Sequence, residues 1–219
     1  GLGDVYKRQL LIFMQATDVL IIGAGISGLL CATEIRKADK SVRILDKGRG
    51  LGGRMATRRM AGGRLDHGAQ YFTVRDSRLQ AYADDWLAAG IIKEWFRNLP
   101  EDSDTDGHPR YCGTTGMTDV PKHLAKDLDV CNSQQVIELS RDAGRWIACT
   151  ASGDSFLSKH LVITSPLPQT INLLDATGLS YAKGASDSLR AVRYERGLAT
   201  LAILDGASGL TEPGGIKIH

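Results

Sequence analysis

The sequence predicts an α/β protein built around a parallel β-sheet, and three observations support this fold class. A β-favouring run, residues 18–22, ends at the glycine motif Gly23-x-Gly25-x-x-Gly28. A segment with helical spacing of apolar residues follows the motif. A second β-favouring run, residues 41–45, then ends at Asp46. Strand, glycine-rich turn, helix and strand in this order form a βαβ unit, which makes the two strands parallel.

The glycine motif is typical of dinucleotide-binding domains. Gly23 permits the tight turn, Gly25 lets a pyrophosphate approach the backbone, and Gly28 lets the helix pack on the strand. Asp46 lies 23 positions after Gly23, close to the ~20 expected for an acid that binds ribose hydroxyls. Ser27 lies in the same turn and is included among the predicted contacts. The unit predicts a Rossmann-type domain and does not by itself distinguish NAD from FAD.

The remaining elements follow from periodicity and turn residues. Two loops are expected, at residues 47–64 and 98–110, and helices are predicted at residues 76–89, 118–128 and 166–174. Further strands are predicted at residues 91–96, 128–131, 134–139, 145–150, 160–164 and 197–206.

Composition excludes several classes of protein. The 219 residues are 42% hydrophobic and 24% charged with a net charge of +2, which argues against a disordered or coiled-coil chain and against nucleic-acid binding by the chain as a whole. The longest apolar run, residues 19–32, is interrupted and too short to span a bilayer. Cys31, Cys112, Cys131 and Cys149 form no CxxC pair, which predicts free thiols in a reducing, cytoplasmic compartment and no metal site.

Both ends have unusual sequences. Residues 1–13 precede Met14, and their apolar stretch of five residues is shorter than the ~7–15 of a signal peptide. Because residues 4–9, DVYKRQ, resemble a translated sequencing adapter, we expect residues 1–13 to be a non-native leader. The final residues, PGGIKIH, alternate like a strand without a turn or cap, which predicts that a C-terminal part is missing.

A second glycine cluster follows Asp46. Residues 47–59 read KGRGLGGRMATRR, and seven basic residues but one acid lie between Arg43 and Arg64. Glycine lets a chain fold closely over a ligand, and arginine grips phosphate in a bidentate manner. Arg54, directly after Gly52-Gly53, is therefore the arginine predicted to hold a phosphate.

Taken together, the motifs resemble the flavin-containing amine-oxidase superfamily, and in particular its renalase-like bacterial branch. The glycine motif is followed by GGRMATRR (residues 52–59) and DHGAQYFT (residues 66–73). The likeness extends to YCGTTGMTDVPKHLA (residues 111–125), LVITSPLPQTINLL (residues 161–174) and VRYERGLATLAIL (residues 192–204).

The resemblance implies FAD as the cofactor and assigns contacts along its whole length. The diphosphate is expected at the glycine motif, the adenosine ribose at the acid after the second strand, and the isoalloxazine at the DHGAQYFT segment. The implied cofactor contacts are Gly23, Gly25, Ser27, Gly28, Asp46, Lys47, Gly53, Arg54, Met55, His67, Gly68, Ala69, Gln70 and Val136.

The resemblance also implies an activity. Renalase-like flavoproteins move hydride from dihydro isomers of NAD(P) to FAD and then pass the electrons to O2. Tyr71, Tyr111 and Trp95 are candidates for the aromatic walls of a small-molecule pocket, and no catalytic residue is assigned. An amine or polyamine oxidase, a desaturase-like flavoprotein and an inactive FAD-binding fragment remain alternatives, and this chain is expected to be inactive without the missing part.

The resemblance further implies two discontinuous domains. The FAD-binding domain is expected at residues 14–70 and 118–165. A mixed α+β substrate domain is expected at residues 71–117 and 166–219, the second part of it incomplete.

Overall fold

The structure of the chain is a computed structural model, which describes residues 16–99, 107–179 and 184–215. The non-native leader expected at residues 1–13 lies outside the described residues. The strands are β1 (Thr17–Ile22), β2 (Val42–Leu45), β3 (Thr57–Met60), β4 (Gly63–Asp66), β5 (Ile92–Phe96), β6 (Arg110–Gly113), β7 (Asp129–Cys131), β8 (Val136–Asp142), β9 (Arg145–Thr150) and β10 (Ser155–Ile163). The helices are α1 (Ile26–Lys37), α2 (Ser77–Ala88), α3 (Asp119–Ala125), α4 (Leu167–Ala176) and α5 (Ala185–Ala191), with a 3-10 turn at Gly53–Met55.

The largest sheet has six strands in the order β7-β2-β1-β10-β9-β8. β7, β2, β1 and β10 are parallel, while β9 and β8 continue the sheet as antiparallel strands. β1 lies between β2 and β10, with Ile22 opposite Leu45 on one side and Ile163 on the other. The predicted α/β fold with a parallel, Rossmann-type sheet is confirmed.

Both faces of the sheet are covered. Leu20 and Ile22 belong to a buried cluster with Leu45 and Leu139, against which α4 packs through Leu173 and its neighbour. Alternation along β1 sends Ile21 to the opposite face. There α1 packs on β1 and β2, with Leu29 and Ala32 fully buried. Strands buried on both faces explain the near-continuous apolar runs in the sequence.

The chain divides into two compact units. The first comprises the described residues up to Gly53 together with Leu124–Arg196, and it holds the six-stranded sheet. The second comprises Arg54–His123 and the described residues from Gly197 onward. The assignment of these regions to FAD and to substrate remains a prediction.

The second unit is a mixed α+β assembly of two antiparallel ribbons, β3-β4 and β5-β6, with α2. Its aromatic core forms around Trp86, which is 2% exposed and has its ring centroid 6.3 Å from that of Phe72. Phe72 in turn lies 5.7 Å from Tyr111, and the two residues pair through their backbones. Tyr111 is buried, so it belongs to this aromatic core and does not form the wall of an open pocket.

Three sequence predictions are wrong in part. The loop expected at residues 47–64 contains β3 and the start of β4, and the loop expected at 98–110 ends in β6. Residues 197–206 form no strand, and Leu198 is fully exposed. An apolar alternating segment becomes a strand only where another strand offers its backbone, and within the described residues no strand pairs with this segment.

Candidate cofactor-binding site

The turn after β1 lies where the carboxyl ends of β1, β2 and β10 meet. The Gly23 N–H donates to the carbonyl of Leu45 over 2.8 Å, which ties the turn to β2. Gly23 has φ +112°, and a Cβ there would lie 2.7 Å from Oγ1 of Thr164, the residue after β10. The Thr164 hydroxyl donates to the carbonyl of Gly23 over 3.0 Å. Both the backbone conformation and the close packing therefore require glycine at this position.

Gly28 serves a different purpose within α1. A Cβ at Gly28 would lie 2.0 Å from the carbonyl oxygen of Gly23 and 2.9 Å from Thr164 Oγ1. The absence of a side chain lets the first turn of α1 lie directly on the turn after β1, as the motif predicts.

Gly25 faces open space at the N-terminus of α1. It is the N-cap of the 12-residue helix α1, no side chain caps the helix, and its first turn holds no acidic residue. A Cβ at Gly25 would meet nothing within 4 Å. The first N–H groups of a helix have no intrahelical acceptor and carry the positive end of the helix dipole. With Ser27 exposed beside them, these groups form a site suited to an anion such as a diphosphate.

Asp46 joins the two glycine-rich segments. One carboxylate oxygen accepts from the N–H of Ala24 over 2.6 Å, and the other accepts from the N–H of Gly48, also over 2.6 Å. Each carboxylate oxygen can accept a second hydrogen bond. The Asp46 carboxylate thus holds the turn in place and keeps acceptor capacity for ribose hydroxyls.

The second glycine cluster packs on the first. The Gly52 N–H donates to the carbonyl of Ala24 over 3.1 Å, and Gly52 pairs with Gly25 as an isolated β-bridge. Gly53 has φ +53°, and a Cβ there would lie 3.6 Å from the Gly25 Cα. The structure therefore brings the predicted contacts Gly53 and Gly25 together. Lys47, next to Asp46, has an exposed side chain.

Residues 131–136 run beside Asp46, a contact that the sequence motifs did not reveal. The N–H of Gln134 donates to the Asp46 carbonyl over 2.8 Å, and that of Ser133 donates to the Gly48 carbonyl over 2.9 Å. Val136, two residues further on, packs its side chain against the buried cluster that contains Leu45. The predicted contact Val136 thus begins the strand that follows this segment.

The other predicted contacts belong to the second unit. A Cβ at Gly68 would lie 2.1 Å from the carbonyl oxygen of Arg54, and the N–H of Ala69 donates to that carbonyl over 2.8 Å. The Gly68-Ala69 step therefore packs directly on the Arg54 backbone, which explains the glycine. The side chains of Arg54, His67 and Gln70 are exposed.

Met55 is buried beside a polar network that anchors the β3-β4 ribbon to α3. The Thr57 hydroxyl donates to the carboxylate of Asp66 and accepts from the N–H of Thr118 over 3.0 Å. The Met117 N–H donates to the same carboxylate over 3.1 Å. These bonds fix Asp66, two residues before Gly68, and Thr57, three residues after the Arg54 carbonyl on which Gly68 packs.

Three of the four cysteines are poorly suited to act as nucleophiles. All four are free and half-buried. Burial raises the pKa of the thiols of Cys31, Cys112 and Cys131. A thiol with a raised pKa stays protonated near neutral pH and reacts slowly. Among the described residues, no three acidic, histidine or cysteine side chains cluster to hold a metal ion.

Within residues 16–99, 107–179 and 184–215, no helix has the length and apolar character needed to cross a membrane.

Comparison with known proteins agrees with this geometry. The family described as NAD(P)-binding Rossmann-like domain matches residues 21–86. Renalase of Mus musculus is 27% identical over 80% of this chain, which spans 55% of the length of that relative. Acetone monooxygenase (methyl acetate-forming) of Gordonia sp. (strain TY-5) is 24% identical over 66% of this chain and 24% of its own length.

Among solved structures, wild-type putrescine oxidase bound to putrescine superimposes with a TM-score of 0.58 at 15% identity, over 77% of this chain and 61% of that one. This identity supports a shared fold. The resemblance to the renalase-like branch is confirmed by the similarity in sequence. The chain therefore matches the NAD(P)-binding Rossmann-like domain over residues 21–86 and is similar in sequence to renalase.

Proposed function

We propose that the glycine loop, residues 23–28, binds the diphosphate of FAD at the N-terminus of α1. The observation that carries this proposal is the open space at Gly25, at an uncapped helix end without an acid in its first turn. Anions are stabilised at such helix ends by unpaired N–H groups and by the helix dipole. The remaining acceptor capacity of Asp46, beside the loop, fits a ribose hydroxyl.

FAD is proposed in preference to NAD because of the second glycine cluster and the likeness to renalase. Gly52 and Gly53 pack on the glycine loop through a backbone bridge. Their chain continues directly into Arg54, whose exposed guanidinium carries two donor edges for a phosphate. The proposed roles of Met55, His67, Gly68, Ala69 and Gln70 toward the flavin rest on the resemblance.

The proposed activity is that of a renalase-like oxidoreductase acting on a dihydro isomer of NAD(P). When bound, FAD supplies the hydride acceptor, and O2 returns it to the oxidised form with release of hydrogen peroxide. The described residues bind and orient the cofactor: the glycine loop holds the diphosphate, and Asp46 fixes the adenosine side. The free cysteines support a cytoplasmic location.

The experiment is an anaerobic titration of the FAD-loaded full-length protein, because this chain spans 55% of the length of its renalase relative and is expected to bleach with neither donor by itself. Dihydro isomers of NAD(P) are expected to bleach the visible absorbance of the flavin, and admission of O2 is expected to restore it with stoichiometric peroxide. Putrescine and other simple amines are expected to leave the absorbance unchanged. Fast bleaching by an amine with none by the nicotinamide isomers would contradict the proposed substrate. Binding of FAD without bleaching by either donor would contradict turnover and leave a binding module.

A further inference from the structure

The β3-β4 ribbon of the second unit places two arginines side by side. The turn residues Ala61 and Gly62 have φ +46° and +80°, which makes a tight two-residue hairpin. Arg59 lies directly opposite Arg64 in the register. In such a hairpin the pair next to the closing pair is not hydrogen-bonded, and its Cβ atoms lie only about 4.5–5.5 Å apart. The two side chains therefore leave the ribbon on the same face.

This juxtaposition is unfavourable without a counter-ion. Like charges directly across an antiparallel pair destabilise the ribbon. Both side chains are exposed, and within the described part of the chain neither makes an ion pair. Asp66, the carboxylate on the ribbon, already accepts from the Thr57 hydroxyl and the Met117 N–H.

We infer that Arg59 and Arg64 together bind a phosphomonoester, the 2′-phosphate of the dinucleotide substrate. The inference rests on the proposed function and narrows its substrate to the NADP series. A phosphomonoester carries close to two negative charges at neutral pH, whereas each phosphate of a dinucleotide diphosphate carries one. Two adjacent guanidinium groups match the charge of the monoester and donate hydrogen bonds to its acceptor oxygens.

The ribbon contains its own control. Arg58 lies opposite Leu65, one position along, so its side chain leaves the opposite face. Arg58 has the same charge as Arg59, is also exposed, and lies only one residue further from the turn. A general attraction of polyanions to this basic ribbon would depend on Arg58 as much as on Arg59.

The test is calorimetric titration of the FAD-loaded protein with NADP+ and with NAD+ at low salt. The protein is expected to bind NADP+ at least about tenfold more tightly, the scale of a lost charge-assisted hydrogen bond. The double variant Arg59→Gln/Arg64→Gln is expected to lose this preference while its affinity for NAD+ stays unchanged. Arg58→Gln is expected to keep the preference. A thermal melt of each variant checks that the ribbon remains folded.

Several results would overturn the inference. These are equal binding of the two dinucleotides by the parent protein, a preference that survives in the double variant, or an equal loss in Arg58→Gln. The inference would also be overturned if inorganic phosphate bound through Arg59 and Arg64 while the protein showed no preference for NADP+ over NAD+. The two arginines would then be a site for free phosphate. FAD titration on the same samples separates this failure from that of the proposed cofactor site: a sample that binds FAD without a preference for NADP+ contradicts the inference alone, whereas a folded sample that does not bind FAD contradicts the proposed site.

Discussion

Gly25 and Gly28 belong to one motif but are required for different physical reasons. At Gly28 a side chain would collide with the backbone of Gly23, so glycine is needed for folding. At Gly25 a side chain would collide with nothing in the protein, and the backbone has an ordinary φ of −75°. Packing therefore does not require glycine at position 25, whereas the proposed approach of a diphosphate does.

Gly28→Ala is expected to destabilise the first unit. The added Cβ would lie 2.0 Å from the Gly23 carbonyl oxygen, and neither backbone segment can move freely. Overpacking costs about 1–3 kcal/mol or more, so the melting temperature should fall by several degrees. Thermal unfolding measures the effect, with Gly25→Ala as the control. Equal melting temperatures for both variants would contradict the packing described for Gly28.

Asp46→Asn is expected to loosen the glycine loop even without a cofactor. The two carboxylate oxygens accept from two backbone N–H groups, and an amide offers one oxygen and a competing donor. Loss of a hydrogen bond to a charged acceptor costs about 1.5–3 kcal/mol. Urea unfolding should show this loss, whereas Asp129→Asn, which removes an exposed ion pair with Arg43, should cost less than about 1 kcal/mol. A smaller effect at Asp46 than at Asp129 would refute the assigned role.

At the scale of elements, the long periodic segments were predictable and the short ribbons were not. β1, α1 and β2 carry strong apolar patterns, so their type was evident from the sequence. The β3-β4 ribbon turns at Ala61-Gly62 and lacks the Asn-Gly or Asp-Gly signal of a tight hairpin. β3 also carries two consecutive arginines, Arg58 and Arg59, and therefore shows no alternating apolar face. The ribbon depends on the Thr57–Asp66 network, which only tertiary contacts reveal.

Ala143→Asn is expected to stabilise the β8-β9 hairpin. Ala143 has φ +46° and precedes Gly144 at φ +78°, so an alanine occupies a left-handed position that asparagine tolerates better. The gain should be about 0.5–1 kcal/mol, measured by urea unfolding. Ala151→Asn, at an exposed turn position outside the left-handed region, should bring no gain. Destabilisation by Ala143→Asn would contradict the turn geometry.

The N-terminus of α2 predicts an acid-dependent contribution to stability. Asp76 caps the helix by accepting from the Arg78 N–H over 2.8 Å, and its hydrogen bond with the Arg78 side chain lowers its pKa to about 2. Because the folded pKa lies below the unfolded value of about 3.9, the contribution is complete above about pH 4 and disappears as the pH falls toward 2.

The measurement is the difference in unfolding free energy between the parent chain and Asp76→Ala across this pH range. We expect the difference to be constant above about pH 4 and to shrink between about pH 4 and 2. Asp84→Ala, on the exposed face of the same helix, serves as the control for helix propensity. A difference for Asp76→Ala that stays constant down to about pH 2 would contradict the role of its ionised form.

At the scale of the whole molecule, the fold class followed from one βαβ unit, but the order of strands did not. β10 begins 133 residues after the end of β1, yet it pairs with β1 on the side opposite to β2. The reversal of strand order at β1 creates the crevice at its carboxyl end where ligands bind in open α/β sheets. Thr164 contributes to this turn through a contact that spans most of the chain. Residues 197–206 have the alternating pattern of a strand but form none, because a local pattern cannot supply a strand to pair with.

The central claim is that the glycine loop binds FAD. The most direct test compares the affinity for FAD of the parent chain with that of Gly25→Ala. Quenching of flavin fluorescence measures the dissociation constant, and a thermal melt of the apoprotein verifies the fold. The account predicts that the parent chain binds FAD. It also predicts that Gly25→Ala weakens binding at least about tenfold while the apoprotein melts at an unchanged temperature. Equal affinity of the two chains, or no FAD binding by the folded parent, would contradict the claim.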